Sequence, residues 1–111
     1  MKYAATDEML VLRLTHGEDI HSSISFVCKE RDVDSAVIVS AVGMVTNVTF
    51  GWFNGKEYEK TTYNDVMELL TLNGNVSYKH EGIYPHLHAV FSRPDHTCLG
   101  GHILQALVHH N

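Results

Sequence analysis

Only one stretch of this chain carries a helical apolar period, and strand-like runs punctuated by turn signals follow it. Ile20, Ile24, Val27 and Cys28 fall at i, i+4, i+7 and i+8 and form a single apolar stripe. Just ahead, Thr15-His16-Gly17-Glu18 has the hydroxyl-to-carboxylate spacing of a capping box, which predicts a helix from there to about Arg31. Met9–Leu14 reads as a first strand, and Ala36–Val42, rich in β-branched residues, as a buried one ended by Gly43. Val45–Phe53 leads through the hairpin signal Asn54-Gly55 into Glu57–Thr62. Met67–Leu72 and Val76–His80 flank Asn73-Gly74-Asn75, read as a turn or bulge. Two more strands, His86–Ser92 and about Leu99–Leu107, flank Arg93-Pro94-Asp95-His96-Thr97. The expectation is an α+β fold: a mainly antiparallel sheet with one early amphipathic helix.

With 111 residues and no Pro/Ser-rich linker or repeat, residues 1–111 read as a single domain. Eight Lys and Arg against thirteen Asp and Glu give a formal charge of −5, and the cations are scattered. That disfavours nucleic acid as a partner, since phosphate binding needs a basic balance or stripe. The apolar runs Ala36–Val39 and Ile103–Val108 are far shorter than the ~20 residues of a membrane span. The first residues turn acidic at Asp7-Glu8, where a signal peptide would turn apolar. Cys28 and Cys98 are read as reduced, half-buried packing residues, consistent with a cytoplasmic location and no membrane.

Histidine is the anomaly, with nine in the chain. In a strand, residues i and i+2 share a face, so His86 and His88 of Pro85-His86-Leu87-His88 project together. Folding the next hairpin symmetrically about Asp95 sets Val90 opposite Gly100, Ala89 opposite Gly101, and His88 opposite His102. Directly opposed side chains share a face, so three imidazoles converge unless a bulge at Gly100-Gly101 shifts the register. Three neutral imidazoles with an open position form the ligand set of a catalytic-type zinc site, which nickel, cobalt or iron also fits. The plainer reading is of sheet-surface or core histidines satisfied by ordinary hydrogen bonds. Gly100 and Gly101 permit close approach to the site. Arg13 and Glu68, charges within apolar strands, are candidate pocket residues, with a solvent-facing or paired charge as the plainer alternative. His16, His21 and His96 read as loop, helix-surface and turn residues, and His109 and His110 as a solvated tail. His80 becomes a fourth contact if its strand neighbours the hairpin. No Gly-x-Ser-x-Gly elbow, phosphate loop or Cys–base pair is present, so no catalytic residue is assigned.

From Arg13 onward the chain resembles the PPC (plants and prokaryotes conserved) domain, also described as a DNA-binding protein with a PD1-like motif. The residues are Leu12-Arg13-Leu14 and Gly17-Glu18-Asp19, Ser40-Ala41-Val42-Gly43-Met44, and Tyr63 through Glu68-Leu69-Leu70-Thr71-Leu72-Asn73-Gly74-Asn75. The closing signature is Pro85-His86-Leu87-His88 with Gly100-Gly101-His102. The resemblance implies a compact α+β subunit of a homotrimer and, for prokaryotic members, a metal on the histidines matching His86, His88 and His102. The chain departs from the family in three ways. It continues less far past Gly-Gly-His than is usual. It has no AT-hook. At the plant Gly-Arg-Phe-Glu motif it has Asp65-Val66-Met67-Glu68, which keeps only the Glu. The leading expectation is therefore a trimeric, metal-binding protein, zinc or another divalent transition metal, with a metal-dependent activity on a small-molecule ligand as an open possibility. A DNA-associated regulator and a trimeric protein-interaction scaffold with a structural metal are the alternatives.

Overall fold

The computed structural model describes residues 1–80 and 82–110. β1 (Lys2–Ala5) and β2 (Leu10–Arg13) form an antiparallel ribbon with Lys2 opposite Arg13. The helix α1 (Ile20–Glu30) follows, then β3 (Ala36–Val37), β4 (Gly43–Phe53), β5 (Tyr58–Tyr63), β6 (Met67–Lys79), β7 (Gly82–Ser92) and β8 (Cys98–Val108). The last six strands make one antiparallel sheet in the order β3-β6-β7-β8-β4-β5. A further β4–β6 ladder, Gly43 opposite Leu69 through Val45 opposite Met67, closes β6, β7, β8 and β4 into a ring. The α+β expectation holds. No helix among the described residues is long and apolar enough to cross a membrane.

Each strand of the ring sends apolar side chains inward, where Phe91, Met67, Leu87, Ile103, Val45 and Val48 are fully buried. Ile20 and Ile24 of the helix stripe pack against this core, and Val27 and Cys28 are buried with them. The helix starts later than the capping box predicts. Asp19 is the N-cap, accepting from the Ser22 N–H at 2.9 Å. The Thr15–Glu18 contact does form, with Thr15 N–H donating to Glu18 Oε2 at 2.7 Å. It closes the loop before the cap, where Glu18 also holds the N-terminal ammonium at 3.0 Å.

Two strand expectations are corrected. Ala36–Val42 is not a buried strand: only Ala36–Val37 pairs, and Val37, Val39 and Val42 are 73%, 77% and 80% exposed. Ile38 and Ala41 alone turn toward the core. Asn73-Gly74-Asn75 is not a turn but the middle of β6, with Asn73 opposite His88, Gly74 opposite Leu87 and Asn75 opposite His86. The bulge in β6 lies earlier, between Leu69 and Thr71. Cys98, expected half-buried, is exposed. The chain end is tied down rather than a free tail. His109 N–H donates to the Met44 carbonyl at 2.9 Å, His110 N–H donates to His16 Nδ1 at 3.1 Å, and the three rings cluster.

Gly74 has a specific reason to be glycine. Its φ is +148°, and a Cβ built there would overlap the His86 carbonyl oxygen. Gly74→Ala is therefore expected to cost about 2–3 kcal/mol of stability in chemical denaturation, because the β6 and β7 backbones must part. A change within about 0.5 kcal/mol would contradict the close approach.

Candidate metal centre

The β7–β8 ladder pairs His88 with His102, Ala89 with Gly101 and Val90 with Gly100, with no bulge at the glycines. The turn that sets this register is closed by Arg93 N–H to Thr97 C=O (2.9 Å) and His96 N–H to Arg93 C=O (2.8 Å). Asp95 Oδ1 accepts from the Thr97 N–H and hydroxyl inside it. His86, two residues before His88, shares its face. The ring centroids of His86, His88 and His102 stand 5.1, 4.9 and 5.4 Å apart. One ligand nitrogen from each lies within 4.8 Å of the others, and no other such His/Cys/Asp/Glu trio occurs among the described residues. A tetrahedral zinc with bonds of about 2.0–2.1 Å holds its nitrogens about 3.3 Å apart, so small side-chain rotations close the triad. His86 and His88 are exposed and have room to make them.

The residues fit a metal on a feature of their own. Nε2 of His102 is buried with no hydrogen-bond partner, an arrangement that leaves its lone pair for a ligand. Burial, and then the neighbouring His86, His88 and His21, hold the His102 imidazole below the usual histidine range, favouring the neutral form that binds metals. Gly51 stands opposite His102 in the β4–β8 ladder. A Cβ at Gly51 would come within 3.1 Å of Tyr58 Cδ1 and 3.3 Å of His102 Cδ2. Its absence lets Tyr58 stack on His102, centroids 5.2 Å apart and planes 19° from parallel.

Beside the triad is a hollow of about 570 Å³. Gly100 and Gly101 line it, as do Gly51, Trp52, Phe53 and Tyr58. Arg13 and Glu68 do not. Arg13 is exposed at the end of β2 and lines a separate hollow against α1, and Glu68 is exposed opposite Ser92. His80 lies past the Lys79–Gly82 pair, outside the triad. His21 is not a plain helix-surface residue: its Nδ1 is buried without a partner, and burial lowers its pKa against the pull of Asp19. Sequence reasoning passed over Gly51 and Tyr58. A glycine inside the Val45–Phe53 strand was the available signal, since such glycines mark close approach.

A model of the Plants and Prokaryotes Conserved (PCC) domain matches residues 1–110, and the chain belongs to that family. Among solved structures it is similar to a PPC protein of Pyrococcus horikoshii, with 28% identity and a TM-score of 0.84 over 96% of this chain and 75% of that one. A metal-containing protein of Archaeoglobus fulgidus is 31% identical, with a TM-score of 0.82 over 96% of this chain and 76% of that one. A candidate DNA-binding protein of Bacteroides thetaiotaomicron is 29% identical, with a TM-score of 0.90 over 98% of this chain and 77% of that one. No curated protein matches the sequence.

The histidine environment sets a pH dependence. The imidazoles of His21, His102 and His109 have pKa values lowered from 6.5, in each case first by burial. Below about pH 6.5 the unfolded chain therefore binds more protons than the folded one, and stability falls with pH until the lowered values are passed. Chelator-treated protein is expected to melt progressively lower from about pH 7 to about pH 5. A flat melting temperature across that range would contradict these environments.

Proposed function

We propose that this PPC domain holds one divalent transition metal, zinc foremost, on His86, His88 and His102, with an open coordination position toward the adjoining hollow. The carrying observation is the convergence of the triad on one face with the His102 Nε2 buried and unpartnered. The metal-containing neighbour from Archaeoglobus fulgidus supports the same reading. Structural zinc sites are closed by four protein ligands, so a set of three favours a working site over a scaffold's staple. An ion there would supply Lewis acidity, polarising a bound carbonyl or lowering the pKa of a bound water. The domain assembles as a homotrimer in this reading, as the PPC resemblance implies. The exposed Val37, Val39 and Val42 supply apolar surface for such contacts.

Protein purified without chelator is expected to carry about one transition-metal ion per chain by elemental analysis, and His88→Ala to lose it. Sedimentation of the same preparation should give a single species of three subunits. Full metal retention in His88→Ala would overturn the site, and a stable monomer the assembly.

The DNA-binding description of the Bacteroides thetaiotaomicron neighbour favours a second reading. The charge of −5 opposes it. So does the use of two cations within the fold: Arg93 pairs with Asp65 at 3.0 Å, and Lys79 caps the Tyr84 ring at 4.1 Å. Anisotropy titration of duplex DNA at pH ~7.5 and physiological salt is expected to give no binding up to about 10 μM protein. Salt-sensitive binding below about 1 μM would promote the DNA reading.

A further inference from the structure

The rings beside the triad are placed where a soluble domain seldom leaves them. Trp52, Phe53 and Tyr58 are 73%, 54% and 44% exposed, and all three line the hollow that the histidines border. Phe53 and Tyr58 share the His102 face and form a wall there, while Trp52, between Gly51 and Phe53, alternates to the other face of β4. Tyr58 lies flat on His102, and Phe53 tilts 58° against Tyr58 with centroids 5.4 Å apart. Phe53 and Tyr58 pair directly across the mouth of the β4–β5 hairpin. That turn is held by Asn54, whose Oδ1 accepts from the Lys56 and Glu57 N–H groups. The wall is thus presented by a fixed hairpin rather than a loose loop.

The charge of an ion on the triad, rather than the lining of the hollow, points to an anion. Glu59 is the acidic residue lining the hollow, and its Oε2 accepts from Asn54 Nδ2 at 3.0 Å, so it is engaged with the turn rather than the triad. Lys60, opposite Gly51, is on the His102 face but does not line the hollow. Three neutral imidazoles leave the charge of a divalent ion uncompensated, and an anionic head group would complete both its coordination and its charge. A hollow of about 570 Å³ is within the range of small-molecule clefts and has room for a ring. Flat ligand faces gain more than aliphatic ones from stacking against exposed rings.

We propose that the hollow binds a small aromatic acid. Its carboxylate-type head takes the open metal position, and its ring lies against Phe53 and Tyr58. This rests on the metal reading above, so the test separates the two.

Zinc-loaded protein is titrated by calorimetry with acetohydroxamate and benzohydroxamate, which share a metal-binding head and differ in the ring. The expected result is binding of both, with benzohydroxamate about tenfold or more tighter. In Phe53→Ser, changed at an exposed position, that preference should shrink to within about threefold, with acetohydroxamate, which lacks the ring, as the control for the metal-binding head. Equal affinities in the unmodified protein would overturn the aromatic-acid inference and leave the metal reading standing. Failure of zinc to load would overturn both, whereas zinc-loaded protein that binds neither probe would overturn the inference alone.

Discussion

The register of the β7–β8 ladder is the constraint on which the site depends. A five-residue turn centred on Asp95 sets Ser92 opposite Cys98, and from there each pair follows until His88 meets His102. A slip of one residue would send His102 to the other face of the sheet and Ile103 out of the core, so the packing and the site specify the same register. Ile103 is fully buried and sits opposite Leu87, also fully buried. The apolar energy that holds the ring together therefore also holds the imidazoles together, at about 1.5–3 kcal/mol for each large side chain kept from water.

Crowding at this face is managed by glycine. Gly74 lets β6 approach the backbone of His86, and Gly51 lets Tyr58 lie on His102. Both sit inside strands, where a glycine is costly unless something needs the room. Here a neighbouring backbone and a stacked ring need it. Asn73 and Asn75, opposite His88 and His86, extend the polar strip across β6.

Much of this was legible in the chain. The i, i+2 spacing of His86 and His88 and the symmetric turn placed three imidazoles together, and the stripe from Ile20 to Cys28 marked the one helix. What sequence missed has physical reasons. Asn73-Gly74-Asn75 has turn composition, but the need for close approach at Gly74 outweighed local preference, and the strand runs through it. Val37, Val39 and Val42 look like core because β-branched residues usually are, yet pattern alone does not say whether a strand finds a partner within its own chain. The short ribbon strand β1 lacked any strong alternation. The aromatic wall was hidden because Phe53 and Tyr58 read as ordinary strand formers around a hairpin. Only the ladder positions reveal that they stand beside the histidines.

The account turns on one ion bound by His86, His88 and His102. Its most direct test is an anomalous difference map from crystals grown without chelator, with data collected on both sides of the metal's absorption edge. The account expects a single strong peak about 2.0–2.1 Å from one nitrogen of each of the three imidazoles, with its remaining coordination facing the hollow. A peak elsewhere, or a fully ordered triad with none, would contradict it.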